Sequence, residues 1–285
     1  MLSTPVVFMI FNRPDLTEQV FQSIAEAKPR VLYVIADGPR ASHPADEARC
    51  AAARAIIERV NWNCEVVRDY AATNLGCKQR VASGLTAAFD RYERAIVIED
   101  DVLPDATMFE FFDAMLGYYA DDQRVMMVSG FNPLGQWKAA RQQYHFSCCG
   151  SIWGWASWRR AWRFYDVNMS LFSDAELRDR VTDVFGDPEI AAPRIAAYAR
   201  THRGEVDTWD FQWSFARALQ SGLSVVPSTN LVRNLGFRDD ATHTRKPRAL
   251  MSELPAGEMT FPLRFHSYVA PDREYDRQFT RRMAT

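Results

Sequence analysis

Four apolar residues, Ala95 to Ile98, run directly into three acids, Glu99-Asp100-Asp101, with Pro104 close behind. An uninterrupted apolar run of this kind predicts a strand buried on both faces. Adjacent carboxylates at its end repel one another and resist desolvation. A divalent cation removes both penalties, because Mg²⁺ and Mn²⁺ take carboxylate oxygen and hold substrate phosphates at their open positions. A solvated acidic turn is the plain alternative. The buried strand favours the cation, since open α/β sheets place ligands at the carboxyl ends of their strands.

The flanking sequence supplies the rest of such a sheet. Val6 to Phe11 and Val31 to Ala36 predict two further buried strands, ended by Asn12-Arg13-Pro14 and Asp37-Gly38-Pro39. Helical spacing follows at Leu16, Val20, Phe21, Ile24 and Ala27, again across 46–60, and again from Lys78 to Tyr92. Cys64 to Val67 reads as a short strand. This alternation of strand and helix predicts an α/β fold, a mostly parallel sheet flanked by helices. After the acids come a helix over 107–119 and a strand over 125–128. Residues 134–170 are aromatic and basic with weak periodicity. Helices are expected within 174–203, with a break at Gly186-Asp187-Pro188, and over 209–220, followed by a strand at 223–226. The chain divides into 1–132, 133–245 and a tail, 246–285, expected to be mobile or ordered by ligand.

Composition sets outer limits. A net charge of −2 over 285 residues offers no global basic field for nucleic acid. The five cysteines, Cys50, Cys64, Cys77, Cys148 and Cys149, show no repeated metal-ligand spacing and read as reduced thiols. The neighbouring pair Cys148-Cys149 is expected to serve packing. No apolar run reaches the ~18 residues of a membrane span.

In a parallel sheet, Arg13 and Asp37 come to the same edge as the acidic triplet. Arginine offers a cationic fork to phosphate or a base carbonyl, and a carboxylate accepts from ring N–H or ribose hydroxyl. Taken singly, Arg13 reads as a helix-start ion pair with Asp15, and Asp37-Gly38 as a turn. Together the three strand ends suggest a nucleotide-diphosphate pocket with a metal at its mouth.

The ordered set Asn12-Arg13-Pro14, Asp37-Gly38, Asn74-Leu75-Gly76 and Glu99-Asp100-Asp101 resembles the nucleotide half of a GT-A glycosyltransferase. The triplet stands where that fold has its Asp-x-Asp motif. The nearer resemblance is to N-acetylglucosaminyltransferase I and its bacterial relatives. Gly150 to Arg159 is similar to the aromatic-Gly-Trp segment of the acceptor half, Trp209 to Trp213 to the stretch with the catalytic base, and Asn234 to Phe237 with Thr242-His243 to the closing loop.

The resemblance implies an inverting, metal-dependent transfer of a sugar, N-acetylglucosamine by analogy, from a UDP-sugar to a glycan or lipid-linked acceptor. It implies Mn²⁺ or Mg²⁺ held by Asp101 and completed by His243. Asp100 and Glu99 would support ribose and metal, Arg13, Asp37 and Gly38 the base, and Arg80 a phosphate or base. Trp153 and Gly154 would shape the sugar pocket. Asp210 is the expected general base; Asp207 is the second choice, with an N-cap before Trp209 as its structural alternative. The expected setting is the bacterial cytoplasm, with basic and aromatic clusters at 137–145, 158–164 and 277–282 as candidates for peripheral membrane contact or plain solvated faces, the latter preferred for 277–282. Two other readings compete: a sugar nucleotidyltransferase, and a glycan-binding module without chemistry.

Overall fold

The computed structural model describes residues 1–237 and 254–284. Strands β1 (Val6–Ile10), β2 (Val31–Ala36), β3 (Glu65–Tyr70) and β4 (Arg94–Glu99) pair in parallel. Helices α1 (Pro14–Ala27), α2 (Ala45–Ile57) and α3 (Gly76–Arg91) connect them. The strand pairing sends β2 and β3 to one side of β1 and β4 to the other. The order therefore reverses between β1 and β4, and the crevice beyond their carboxyl ends is where such a sheet binds ligands. Alternate residues of each central strand feed opposite layers. Val6, Phe8, Ile10, Ile96 and Ile98 enter one apolar core, and Val7, Met9, Ala95 and Val97 enter the other. This two-sided burial is why both strands read as continuous apolar runs.

The sheet continues to eight strands. The short β5 (Val102–Pro104) and α4 (Ala106–Tyr118) lead to β6 (Val125–Ser129), then β7 (Tyr144–Ser147) and β8 (Trp155–Trp158). After α5 (Arg159–Trp162), α6 (Ala175–Phe185), α7 (Pro188–His202) and α8 (Asp210–Leu219) come β9 (Leu223–Pro227) and β10 (Val232–Asn234). The spatial order is β3-β2-β1-β4-β8-β6-β9-β7, while β10 and β5 form a separate ribbon. Within the large sheet, β8 and β7 run against the other six strands. The mostly parallel α/β sheet is as expected. Strand β8 sits between β4 and β6, so the stretches before and after residue 132 share one sheet.

Two regions differ from the sequence expectation. The aromatic stretch near 150 contains β8, whose Trp155 and Trp158 are buried on opposite sides of the sheet, in separate cores. Residues 254–284 pack onto the fold, where a tail mobile or ordered by ligand was expected. Their helix α9 (Arg273–Ala284) buries Tyr275 and Phe279 against Phe185, Tyr198 and Val226. Two arginines of that helix form exposed ion pairs, Arg277 with Asp187 and Arg281 with Glu189. No helix among the described residues is long and apolar enough to cross a membrane.

Candidate active site

A cleft of about 450 Å³ opens at the β1/β4 reversal. The strand ends deliver its charged groups: Arg13 after β1, Asp37 after β2, and Glu99, Asp100 and Asp101 at and after β4. Asp207 and Asp210, just before and at the start of α8, face the same space. Residues far apart in the chain thus meet, because the parallel topology brings their strand ends to one edge.

The Arg13 guanidinium bridges the triplet. It donates through Nη2 to Asp100 and through Nη1 to Asp101 Oδ2 at 2.8 Å. Asp100 also accepts from the Phe11 backbone N–H at 3.3 Å. Burial raises the Asp100 carboxyl to about 6, against the opposing pull of Arg13. Burial, then the charge of Asp101, pushes Glu99 well above the usual carboxylate range. Burial works against the Arg13 charge, but Asp100 and Asp101 outweigh it and hold the guanidinium protonated.

These shifts have a thermodynamic consequence. A carboxyl with a raised folded-state pKa binds more protons folded than unfolded, so its contribution to stability falls as pH rises through that value. Without divalent cations, the melting temperature is expected to fall as pH rises from about 4, where the unfolded carboxyl titrates, through about 6, a loss of order 3 kcal/mol from Asp100. Thermal scans of the wild type and Asp100→Asn in that window check this. The slope should flatten in the variant, and in the wild type when Mn²⁺ is added.

The residues fit a hard divalent cation. Three carboxyl groups crowd a shielded place where one guanidinium pairs with only two of them, and a divalent cation would let all three ionise. Glu99 Oε1 is buried without a hydrogen-bond partner among the described residues. All-oxygen acidic donor sets suit Mg²⁺ and Mn²⁺. His243, the other expected ligand, lies outside the described residues. The described part of the closing segment reaches the triplet: the Leu235 N–H donates to the Asp101 carbonyl at 2.7 Å, and Asn234 and Gly236 line the cleft. A Cβ at Gly236 would stand 2.2 Å from Asp101 Oδ2, so only glycine permits this approach.

Asp37 has a bracing role. Its oxygens accept from Gly38 N–H (2.8 Å), Leu75 N–H (2.9 Å), Asn74 Nδ2 (2.9 Å) and Gly76 N–H (3.0 Å). It thus satisfies two of the otherwise orphaned donors at the start of α3, the N–H groups of Leu75 and Gly76. Gly38 serves that brace, since a Cβ there would lie 2.4 Å from the Thr73 carbonyl carbon. Arg80 lines the cleft, yet its guanidinium already bonds the Ala36 and Asp69 carbonyls and pairs with the Asp69 carboxylate at 2.7 Å.

Trp153 lines the cleft, packed between Phe131 and Phe237 at centroid distances of 4.5 and 5.6 Å. Gly154 does not line it. Its φ of +59° favours glycine, and a Cβ would press on Val232 and Met108 in the interior. It shapes the turn that presents Trp153. The N-cap reading of Asp207 is corrected. Trp209, without a side-chain cap, is the N-cap of α8, and Asp207 instead accepts from the Lys78 N–H of α3 at 3.3 Å. Asp210 opens α8 and accepts from Thr208 Oγ1.

Sequence reasoning missed Arg40. It lines the cleft, pairs with the buried Asp46 at 2.6 Å and lies over the Phe11 ring at 5.4 Å. The signal was present, because Arg40 belongs to the same strand-end turn as Asp37.

No family model matches the chain, and no curated protein matches it. Among solved structures it is similar to a UDP-glucose pyrophosphorylase complexed with UDP-glucose, at 8% identity and a TM-score of 0.42, over 81% of this chain and 92% of that one. Mouse xyloside xylosyltransferase 1, apo form, shares 10% identity at a TM-score of 0.37, over 76% and 81%. UTP-bound UGPase from Acinetobacter baumannii shares 9% at 0.39, over 89% and 100%. Likeness this distant decides nothing about activity, which must be read from the cleft.

Proposed function

We propose that the chain is a glycosyltransferase that moves a sugar from a UDP-sugar to a hydroxyl of a glycan or lipid-linked acceptor, with inversion and with a divalent cation. The observation that carries this reading is one cleft holding two separate sets of carboxylates. Glu99, Asp100 and Asp101 gather at the end of β4 around Arg13, and Asp210 faces them from the start of α8. A sugar transfer needs both functions, a seat for the diphosphate and its cation and a base for the acceptor hydroxyl.

Asp101, with Asp100 and Glu99 in support, would hold Mn²⁺ or Mg²⁺, which supplies charge neutralisation on the departing diphosphate. Arg13 keeps the triplet together and offers positive charge at the same edge. The Trp153 ring gives an apolar wall for one face of a sugar. Asp210 takes the proton from the acceptor hydroxyl as that oxygen attacks the anomeric carbon from the side opposite the leaving group. The Thr208 hydroxyl, bonded to Asp210, sets the orientation of that carboxylate. N-acetylglucosamine is the first donor to try.

The nucleotidyltransferase reading is less favoured by the turn after β1. Only Phe11, Asn12 and Arg13 separate β1 from α1, which leaves no room for a glycine- and basic-rich phosphate loop. Incubation with a panel of UDP-sugars, an acceptor mixture and Mn²⁺ tests the proposal. Release of UDP is expected. Release of pyrophosphate from UTP and a sugar 1-phosphate, with no UDP, would assign the cleft to nucleotidyl transfer. Sugar binding without turnover would leave only a binding module.

A further inference from the structure

Away from the cleft, the end of β7 meets α9 in a polar cluster inside an otherwise apolar core. Consecutive side chains on an extended strand point to opposite faces. Here the strand ends at Ser147 and the chain bends at Cys148, so both thiols turn to one side. Their sulfurs are 3.9 Å apart, and Cys148 Sγ lies 3.1 Å from Asp276 Oδ2. The three ligand atoms all lie within 4.8 Å of one another. Cys149 and Asp276 are fully buried.

We propose that Cys148, Cys149 and Asp276 form a structural site for a thiophilic divalent cation of the Zn²⁺ class, which fastens α9 to the sheet. This site is independent of the function proposed for the cleft. The spacing matches the chemistry: with Zn–S bonds of about 2.3 Å, two thiolates of a tetrahedral site stand about 3.8 Å apart. The carboxylate is already oriented. Ser147 Oγ donates to Asp276 Oδ1 at 2.5 Å and accepts the Cys149 N–H at 2.9 Å, as an outer partner of a metal ligand would. The ligands come from two elements 127 positions apart, so an ion would join the C-terminal helix to the body of the fold.

Charge names the competitor, because three arginines surround the cluster. With the cation bound, two thiolates and a carboxylate would set three negative charges against its two positive ones. Arg194 lies beside both sulfurs, and Arg217 faces them from α8. Arg273 Nη1 donates to Cys148 Sγ at 3.2 Å and lies 3.5 Å from Asp276. Arg273 is 39% exposed and can withdraw to solvent, opening the fourth position to water. If the cluster works without metal, the Arg273 guanidinium is what fills that position.

The test uses the full-length protein freed of metal and then loaded with Zn²⁺ or Co²⁺. Co²⁺ distinguishes this site from the all-oxygen cleft, because only thiolate ligands give a sulfur-to-cobalt charge-transfer band in the near ultraviolet. The expected result is one Zn²⁺ per chain resistant to dialysis, a thiolate–cobalt band, and a melting temperature lowered by chelator. The band and the chelator effect should vanish in Cys148→Ser/Cys149→Ser, and the affinity should fall at least tenfold in Asp276→Asn. Absence of the band in the wild type overturns the proposal whether or not the variants fold. Persistence of the band in the double variant also overturns it, by moving the site to other cysteines.

Discussion

Asp210→Asn is expected to lower the rate of sugar transfer by about 10²- to 10⁴-fold, the usual worth of a general base, while leaving UDP affinity within about twofold. The substitution is nearly isosteric. The amide oxygen can still accept from Thr208 Oγ1, and the residue can still open α8, so the cleft keeps its shape. What the variant loses is the ability to take a proton from an attacking hydroxyl. The loss should appear in kcat, with UDP binding followed by calorimetry as the control. Asp207→Asn makes the comparison sharp. Asp207 faces the same cleft, but its observed work is to cap α3 at the Lys78 N–H. Its replacement should cost about 1 kcal/mol of stability at most and change kcat little. If transfer survives in Asp210→Asn and fails in Asp207→Asn, the base has been assigned to the wrong carboxylate.

The two aspartates also show where a sequence stops being informative. Both belong to the same short stretch, and spacing alone made them neighbours on one helical turn. The structure starts α8 at Asp210, which leaves Asp207 in the preceding loop and turned toward a different helix. Helix starts are set by which donors find acceptors, and that depends on chain segments far away. Asp37 is a parallel case. Its position at a strand end was legible, because the apolar run before it is long and two-sided. Its role was not, since four donors from residues 38 and 74–76 converge on it only in the folded chain.

The central strands were readable for a plain physical reason: burial on both faces writes itself as continuous apolar sequence. Strands β7 and β8 left a weaker trace. Trp155 to Trp158 is equally buried, but it is four residues long and sits among basic and half-buried aromatic neighbours. An antiparallel strand slotted between two parallel ones carries no sequence mark of its own. Helix α9 was unreadable for a related reason. Its apolar face is only Tyr275, Phe279 and Met283, set among the arginines at 273, 277, 281 and 282. Burial of two aromatic rings against α6, α7 and β9 decides its place, and that surface exists only after the rest has folded. The convergence of Arg13 with Asp100 and Asp101, by contrast, followed from topology alone, because parallel strands put their carboxyl ends together whatever lies between them.

Asp101→Ala is expected to remove nearly all metal-dependent transfer, a loss of about 10³-fold if the cation contributes several kcal/mol to the departing diphosphate. The same change should leave the cation-free protein as stable as the wild type or more so. Asp101 is the second cause, after burial, that pushes Glu99 upward, and it also raises Asp100. Removing it relieves a repulsion among shielded carboxylates. The cost is one ion pair, at 2.8 Å to Arg13, and Arg13 keeps its bond to Asp100. A residue that serves the fold loses stability and activity together when it is truncated. A residue that crowds charge for the sake of a cation should separate the two, so melting temperature without metal and Mn²⁺-dependent UDP release must be measured on the same preparation. Added Mn²⁺ should raise the melting temperature of the wild type and not that of the variant, since a ligand stabilises only the state that binds it. If Asp101→Ala instead melts lower and keeps its Mn²⁺ response, the triplet is held together for structure, and the cation of this cleft is gripped somewhere else.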